Sequence, residues 1–118
     1  MESQKLLDLV LKAISDRHGE QTQAYDMRGI SILTDYYVVT SAGSQRQLHA
    51  IANQIIQTLH ENHETNYRIE GSHDSSWLLV DLNDVVVDLF TQEARQFYGV
   101  EKLWESGKRL EIEEAQEQ

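Results

Sequence analysis

The chain has 118 residues, 40% of them hydrophobic and 25% charged, which fits one water-soluble globular domain with a single core. A formal net charge of −10 with only ten Lys and Arg residues excludes the basic footprint of direct nucleic-acid binding. That charge favours basic proteins as partners, or simply solubility. Cysteine and apolar runs of transmembrane length are absent, so we expect a cytoplasmic protein without disulfides, membrane contact or cofactor.

The first part of the chain predicts a helix followed by two strands. Large aliphatic residues recur at helical spacing from about Ser3 to Arg17, and Gly19 follows them. This segment carries acids and lacks a basic leader region, so it is a helix rather than a signal peptide. A weaker pattern predicts a strand near Gln23 to Met27, and an aromatic and β-branched run predicts one over Tyr36 to Ala42.

Small residues separate the second strand from the longest predicted helix. Ser44 and Gln47 match the S-x-x-Q capping box, in which each side chain satisfies the other residue's free backbone N–H. An apolar stripe at helical spacing then runs to about Glu64. The same strand, loop and helix outline can hold a phosphate, but the glycine-rich fingerprints of phosphate-binding loops are missing. We therefore expect Ala42 and Gly43 to form a tight turn before the capped helix.

Two apolar runs between Trp77 and Phe90 predict a β-hairpin. A shorter strand near Tyr67 to Glu70 precedes them, and Asn83-Asp84 joins them with residues that tolerate a left-handed turn conformation. A two-residue loop would pair Leu82 with Val85. One face of the hairpin is then wholly aliphatic and should pack on helices; it carries Leu78, Val80, Leu82, Val85, Val87 and Leu89.

The opposite face of the predicted hairpin mixes large apolar groups with two carboxylates. It carries Trp77, Leu79, Asp81, Val86, Asp88 and Phe90. Because an unpaired ionised acid is costly to bury, this face is either exposed and used for binding or covered by a second layer that pairs the acids. Trp77 begins its strand at the rim of the sheet and suits a core or an interface position equally. A β-bulge would shift the register and remove the distinction between the faces.

The patterns that would indicate catalysis or metal binding are weak. A nucleotidyltransferase needs paired carboxylates one residue apart on a strand to hold Mg²⁺, whereas the hairpin has neither D-x-D nor D-x-E. His60 and His63 lie one helical turn apart, but Glu64 stands where the H-E-x-x-H motif needs its second histidine. Two ligands without a third make a poor zinc site. We therefore expect a protein that is not an enzyme and holds no metal.

The C-terminal part of the chain predicts one short helix and a tail. Thr91 can cap a helix that runs through Tyr98 to a glycine stop. A last short helix or turn would place Trp104 against the core as a latch. The remaining segment, 108–118, is charged and poor in large apolar groups, so we expect a disordered acidic tail after a domain of residues 1–107.

Three segments resemble, in order and spacing, the ribosomal silencing factor family, also called the Iojap-like family. They are "DYYVVTSAGSQRQLHAIA", "WLLVDLNDVVVDLF" and "EARQFYGVEKLW". The resemblance extends over nearly the whole chain, from the first helix to Trp104. It implies a single α/β domain with a mixed β-sheet packed by helices, in a nucleotidyltransferase-like fold without the catalytic residues.

The resemblance also implies a function and a contact surface. Members of the family bind ribosomal protein number fourteen of the large subunit, sterically block joining of the small subunit and lower translation when nutrients are short. Acidic charge suits a basic ribosomal protein, and the Trp77-bearing face suits docking. The partner-binding residues expected on this basis are Trp77, Leu78, Leu79, Asp81, Asp88, Phe90 and Tyr98, although parity places Leu78 on the aliphatic face.

The sequence departs from the family pattern at two hairpin positions. The family usually has glycine where Asn83 stands, and Asn83 can supply the same positive φ. It commonly has histidine where Asp88 stands, so no histidine contact carries over. Two other functions stay open: a nucleotide-binding or nucleotidyltransferase enzyme, and a self-associating domain that uses the same sheet face as a homodimer interface.

Overall fold

The computed structural model describes residues 1–71, 75–98 and 107–110, apart from the side chain of Tyr98. The predicted latch at Trp104 and residues 111–118 of the predicted tail lie outside this set. In chain order the helices and strands are α1 (Ser3–Asp16), β1 (Glu20–Asp26), β2 (Tyr36–Ala42), α2 (Gln45–Glu61), β3 (Arg68–Gly71), β4 (Trp77–Asp81), β5 (Val85–Thr91), α3 (Gln92–Tyr98) and β6 (Lys108–Leu110).

The strands of the described residues form one mixed six-stranded sheet in the order β3-β4-β5-β2-β1-β6. The central strands β5 and β2 are parallel, and the other neighbouring pairs are antiparallel. Apolar stripes of α1 and α2 pack on one face of the sheet, while α3 contacts β5 and β2. The expectation of a single α/β domain with a mixed sheet packed by helices is confirmed.

Only one of the two hydrogen bonds of the predicted capping box is present at the start of α2. Ser44 is the N-cap, and its hydroxyl accepts a hydrogen bond from the Gln47 backbone N–H at 3.1 Å. The Gln47 side chain does not return to Ser44. Its oxygen accepts from the Gly43 backbone N–H at 2.8 Å, and its nitrogen donates to the His18 carbonyl at 2.9 Å. Gln47 therefore ties the end of α1 to the start of α2.

The predicted hairpin register is confirmed. Trp77 pairs with Phe90 and Val80 with Val87, and the Leu82 N–H donates to the Val85 carbonyl at 2.9 Å. No bulge interrupts the pairing of β4 with β5, so each face of the hairpin carries the side chains that strand alternation predicts.

Only one residue of the two-residue loop takes the left-handed conformation. Asn83 has φ +71°, and the Asp84 N–H donates to the Leu82 carbonyl across it at 2.9 Å, as in a γ-turn. Asparagine tolerates this φ better than most residues, which explains its place at the tip of the hairpin.

Strand β1 departs from the sequence prediction at its start and along its outer edge. It begins at Glu20 rather than Gln23, because a register irregularity between these residues, with Gln21 at φ +51°, hides the alternation. Its outer edge pairs with β6, where the sequence predicted a frayed end from Lys108 onward. Backbone pairing with β1 and the packing of Leu110 against the helix-packed core place this strand in the fold. The division into a domain of residues 1–107 and a tail stays a prediction for the rest of that segment.

Candidate docking face

The side of the sheet away from α1 and α2 carries the mixed set of side chains predicted for the hairpin. We call it the second face, and on the described strands it includes Tyr25, Tyr37, Val39, Arg68, Trp77, Leu79, Asp81, Val86, Asp88 and Phe90. The opposite, helix-packed face carries the aliphatic set of the hairpin.

Burial divides the second face into an inner and an outer part. Phe90 and Asp88 are only 2% and 8% exposed, within a small cluster formed by Tyr25, Met27, Tyr37, Val39, Phe90 and Ala94. Trp77, Leu79 and Asp81 of β4, by contrast, are half-buried. The two interpretations left open by the sequence therefore each describe one part of the face. On β1, β2 and β5 the side chains of this face form a buried cluster, whereas on β4 they remain partly accessible to a partner.

Not all predicted contact residues share this surface. Leu78 is 3% exposed and belongs to the helix-packed core, as parity predicted, so its side chain points away from the other candidates. Asp88 and Phe90 lie on the second face but are buried. Tyr98 is the last residue of α3, and its side chain lies outside the described residues. Trp77, Leu79 and Asp81 remain as the predicted residues with accessible surface on one face.

The carboxylate of Asp81 has partners on the sheet itself. Arg68 of the neighbouring strand donates to its Oδ2 at 3.1 Å, and the Asn83 backbone N–H donates to its Oδ1 at 2.9 Å. The Arg68 side chain is exposed, so this ion pair is screened by solvent. The Asp81 carboxylate thus lies at the edge of the face with a hydrogen bond to each oxygen.

The carboxylate of Asp88 is in a different environment. The Tyr37 hydroxyl donates to its Oδ2, while its Oδ1 makes no short hydrogen bond within the described residues. Burial raises the pKa of Asp88 above its usual range, and the hydrogen bond from Tyr37 and the nearby Trp77 side chain lower it by less. Asp88 therefore sits beneath the half-buried surface as a carboxyl group whose charged form is disfavoured.

Two polar groups of the loop that resembles a phosphate site are already hydrogen-bonded within the fold. The Gly43 N–H and the Ser44 hydroxyl both bond Gln47. A Cβ placed on Gly43 would lie 3.8 Å from a carboxylate oxygen of Glu20, so a negative charge faces the loop. A phosphate brought to this loop would meet the Glu20 carboxylate, and the Gly43 N–H is already bonded to Gln47, so the geometry does not favour a nucleotide here.

A buried cation that contacts the end of β2, just before this loop, is bonded within the fold. Arg95 of α3 is 6% exposed, and its guanidinium donates to the Ser41 hydroxyl at 2.8 Å and to the Gln21 carbonyl at 2.5 Å. These bonds tie α3 to the bulge in β1 and to the end of β2. The described contacts of Arg95 are therefore structural.

The described residues contain no group of three or more His, Asp or Glu side chains that could hold a metal ion. His60 contacts the Tyr67 hydroxyl at 3.4 Å and its ring, and His63 follows the end of α2. In the same part of the chain, no helix has the length and apolarity to cross a bilayer.

Two surface features were missed by the sequence reasoning. The loop between β1 and β2 exposes Ile30, Ile32 and Leu33, at 50%, 101% and 82%. Phe97 of α3 is 82% exposed, beside a cavity described below. Apolar residues in a short loop and on a seven-residue helix carry little periodic signal, so the sequence did not show which of them face solvent.

Comparison with known proteins was made against this geometry. A family model described as "Ribosomal silencing factor during starvation" matches residues 1–118. The chain belongs to this family. A ribosomal silencing factor of Halalkalibacterium halodurans is 36% identical over 113 residues, which span 96% of this chain and 97% of the relative.

Relatives of the family extend the comparison to structure and to organelles. A crystal structure of a Chromobacterium violaceum protein superposes with a TM-score of 0.82 at 32% identity, over 95% of this chain and 92% of that one. A mouse protein named "Mitochondrial assembly of ribosomal large subunit protein 1" is 36% identical over 74 residues. This match covers 60% of this chain and 32% of the mouse protein. The resemblance read from the three sequence segments is thereby confirmed.

Proposed function

We propose that this protein binds the large ribosomal subunit through its ribosomal protein number fourteen and thereby blocks joining of the small subunit. Translation falls as a result when nutrients are limiting. Family membership supports the proposal, and so does the name of the mouse relative, which refers to the large subunit. A protein with this role acts in the cytoplasm, where the subunits join.

The single observation that carries the proposal is the half-open surface of β4. Trp77 and Leu79 leave part of their apolar surface uncovered beside the charged Asp81. Tryptophan is the residue type most enriched among interface hot spots, and an acidic rim complements a basic ribosomal protein. The chain as a whole carries a net charge of −10, which favours encounter with such a partner.

The proposed mechanism is steric exclusion and requires no chemistry. A folded body of 13.6 kDa that docks on the joining surface of the large subunit occupies space that the small subunit needs. Affinity for the large subunit then sets the fraction of subunits withheld from translation. The engaged Gly43 loop and the internal bonds of Arg95 support a binding protein rather than an enzyme.

Co-sedimentation with purified large subunits tests the docking step. Wild-type protein should pellet with them, and Trp77→Ala should weaken binding by about 2 kcal/mol or more, roughly thirtyfold in Kd. Ile69→Ala is the matched control, since Ile69 is a partly exposed apolar residue paired with Val80 of the helix-packed face. Its affinity should equal that of the wild type. Wild-type protein that stays in the supernatant at saturating subunit concentration would contradict the proposal.

Calorimetry separates this function from nucleotide chemistry. Titration with nucleoside triphosphates and Mg²⁺ should give no specific heat of binding, because Glu20 faces the only loop with a phosphate-site outline in the described part of the chain. A saturable heat that is lost on substitution of Gly43 would favour the enzyme interpretation instead.

Light scattering tests whether the second face also serves self-association. If it does, Trp77→Ala should shift a dimer toward the monomer, and added large subunits should compete with dimer formation. A dimer that is unaffected by this substitution would place self-association on another surface.

A further inference from the structure

An open cavity of about 310 Å³ lies where β4 begins and β5 ends. The described residues that line it are Ser76, Thr91, Glu93, Ala94 and Phe97. Pockets for small ligands run from about 300 to 1,000 Å³, so this cavity suits one side chain rather than a large ligand. Ser76 directly precedes Trp77, which places the cavity next to the proposed docking surface.

Backbone hydrogen bonds hold the two walls of this cavity together. The Thr91 N–H donates to the Ser76 carbonyl at 2.9 Å, which joins the approach to β4 to the end of β5. The Thr91 hydroxyl accepts from the Ala94 N–H at 3.3 Å and so caps α3. Ala94 is 7% exposed and anchors α3 in the cluster of the second face. These contacts join the lining residues of β5 and α3 to the approach to β4.

The lining combines apolar and polar groups in a specific way. Ala94 and the 82% exposed side chain of Phe97 give an apolar wall with an accessible aromatic ring. Glu93 adds a carboxylate that makes no ion pair within residues 1–71, 75–98 and 107–110, and two hydroxyl-bearing residues complete the lining. Lysine and arginine side chains match this arrangement, since an apolar stem lies on such a wall while the cationic end meets a carboxylate or an aromatic face.

We propose that this cavity receives one lysine or arginine side chain of the partner on which the protein docks. The inference rests on the proposed function, because it assigns a second contact to the same docking event. Trp77 would supply the apolar contact, and Glu93 with Phe97 would fix the register of a basic side chain beside it.

Other classes of ligand fit the cavity less well. An anion would meet the Glu93 carboxylate, and the described lining includes no cationic side chain to offset it. A purely apolar group would cover the Glu93 carboxylate without giving it a hydrogen-bond partner, which costs free energy. A basic side chain satisfies both parts of the lining at once.

Three variants test the proposal by binding to purified large ribosomal subunits. Glu93→Gln keeps the shape of the side chain but removes its charge, and should raise Kd about tenfold, the scale of a lost charge-assisted hydrogen bond. Phe97→Ala should raise Kd by roughly threefold through loss of the aromatic contact. The control Glu61→Gln removes the same charge from an exposed position at the end of α2 and should leave Kd unchanged. All three should melt close to the wild type.

The possible results separate the inference from the proposed function. Wild-type binding with an unchanged Kd for Glu93→Gln would overturn the cavity proposal alone. Equal losses for Glu93→Gln and Glu61→Gln would also overturn it, because the effect would then come from net charge rather than from this site. Wild-type protein that fails to bind large subunits would overturn the proposed function, and the cavity proposal with it.

Discussion

The two faces of the β4–β5 hairpin share one backbone but differ in what covers them. Toward α1 and α2, Val80, Val87 and Leu89 are completely buried among aliphatic neighbours. On the second face, Trp77 stays half-buried, and the buried Asp88 accepts a hydrogen bond from Tyr37. The difference shows how strand alternation separates two tasks. Residues of one parity pack against α1 and α2, and residues of the other parity form a smaller buried cluster and, on β4, an accessible surface.

The largest expected effect comes from removing a core leucine on the helix-packed face. Leu89→Ala should lower the free energy of unfolding by about 2–5 kcal/mol, the usual cost of such a cavity. Leu79→Ala is the matched variant on the second face, where the half-buried side chain should cost about 1 kcal/mol. Urea unfolding of both variants measures the contrast. Equal losses would show that the two faces are equally buried in solution.

Trp77→Ala should come next in its effect on stability. We expect a loss of about 1–2 kcal/mol, below the roughly 3–5 kcal/mol of a fully buried tryptophan, because part of the ring is already exposed. Thermal unfolding provides the measurement. A larger loss together with unchanged affinity for large subunits would identify Trp77 as a core residue and remove it from the docking surface.

Asp88→Asn should make stability less dependent on pH. Burial raises the pKa of Asp88 in the folded state above its unfolded value, so the folded state favours the protonated form. That stabilisation is complete below the unfolded pKa and is lost as pH rises through the folded pKa.

Near neutral pH, where the carboxyl of the unfolded chain is ionised, folding of the wild type therefore costs either the burial of a charge or the uptake of a proton. Asp88→Asn should be more stable there by about 1 kcal/mol, the lower end of the cost of a buried, incompletely paired polar group. At acidic pH the two proteins should converge. Denaturant unfolding across the pH range tests this, and a constant difference between them would rule out titration of Asp88 as the cause.

The smallest expected effect concerns the exposed ion pair of the second face. Arg68→Ala should change the free energy of unfolding by less than about 1 kcal/mol, since exposed pairs contribute little. Large-subunit affinity should stay the same or improve, because the Asp81 carboxylate is then no longer paired with Arg68 and can pair with a basic partner. Reduced affinity would show that Arg68 itself contacts the partner.

Local patterns predicted the parts of the fold that depend on neighbouring residues. The alternation from Trp77 to Phe90 gave the hairpin, its register and the buried position of Leu78, because side-chain period and turn chemistry are both local. The apolar stripe of α2 and its cap at Ser44 were visible for the same reason. Family resemblance implied that Leu78 contacts the partner, whereas strand alternation predicted its side chain on the helix-packed face. The structure places it there.

Features that depend on distant parts of the chain were not predictable from local sequence. The Gln47 side chain does not complete the capping box; its nitrogen donates instead to the His18 carbonyl, which is distant in sequence. The bond between Tyr37 and Asp88 exists only because β2 and β5 are parallel neighbours in a particular register. The cavity beside Trp77 requires α3 to turn back over the end of β5, which no periodicity encodes. Tertiary placement therefore decided the details of the candidate site.

Subunit joining tests the central claim most directly. Purified large and small subunits should form fewer joined ribosomes as the protein is added, with inhibition that follows occupancy of the large subunit. Trp77→Ala should require a higher concentration for the same inhibition, and Ile69→Ala should match the wild type. Undiminished joining while the large subunits are saturated with protein would contradict the account.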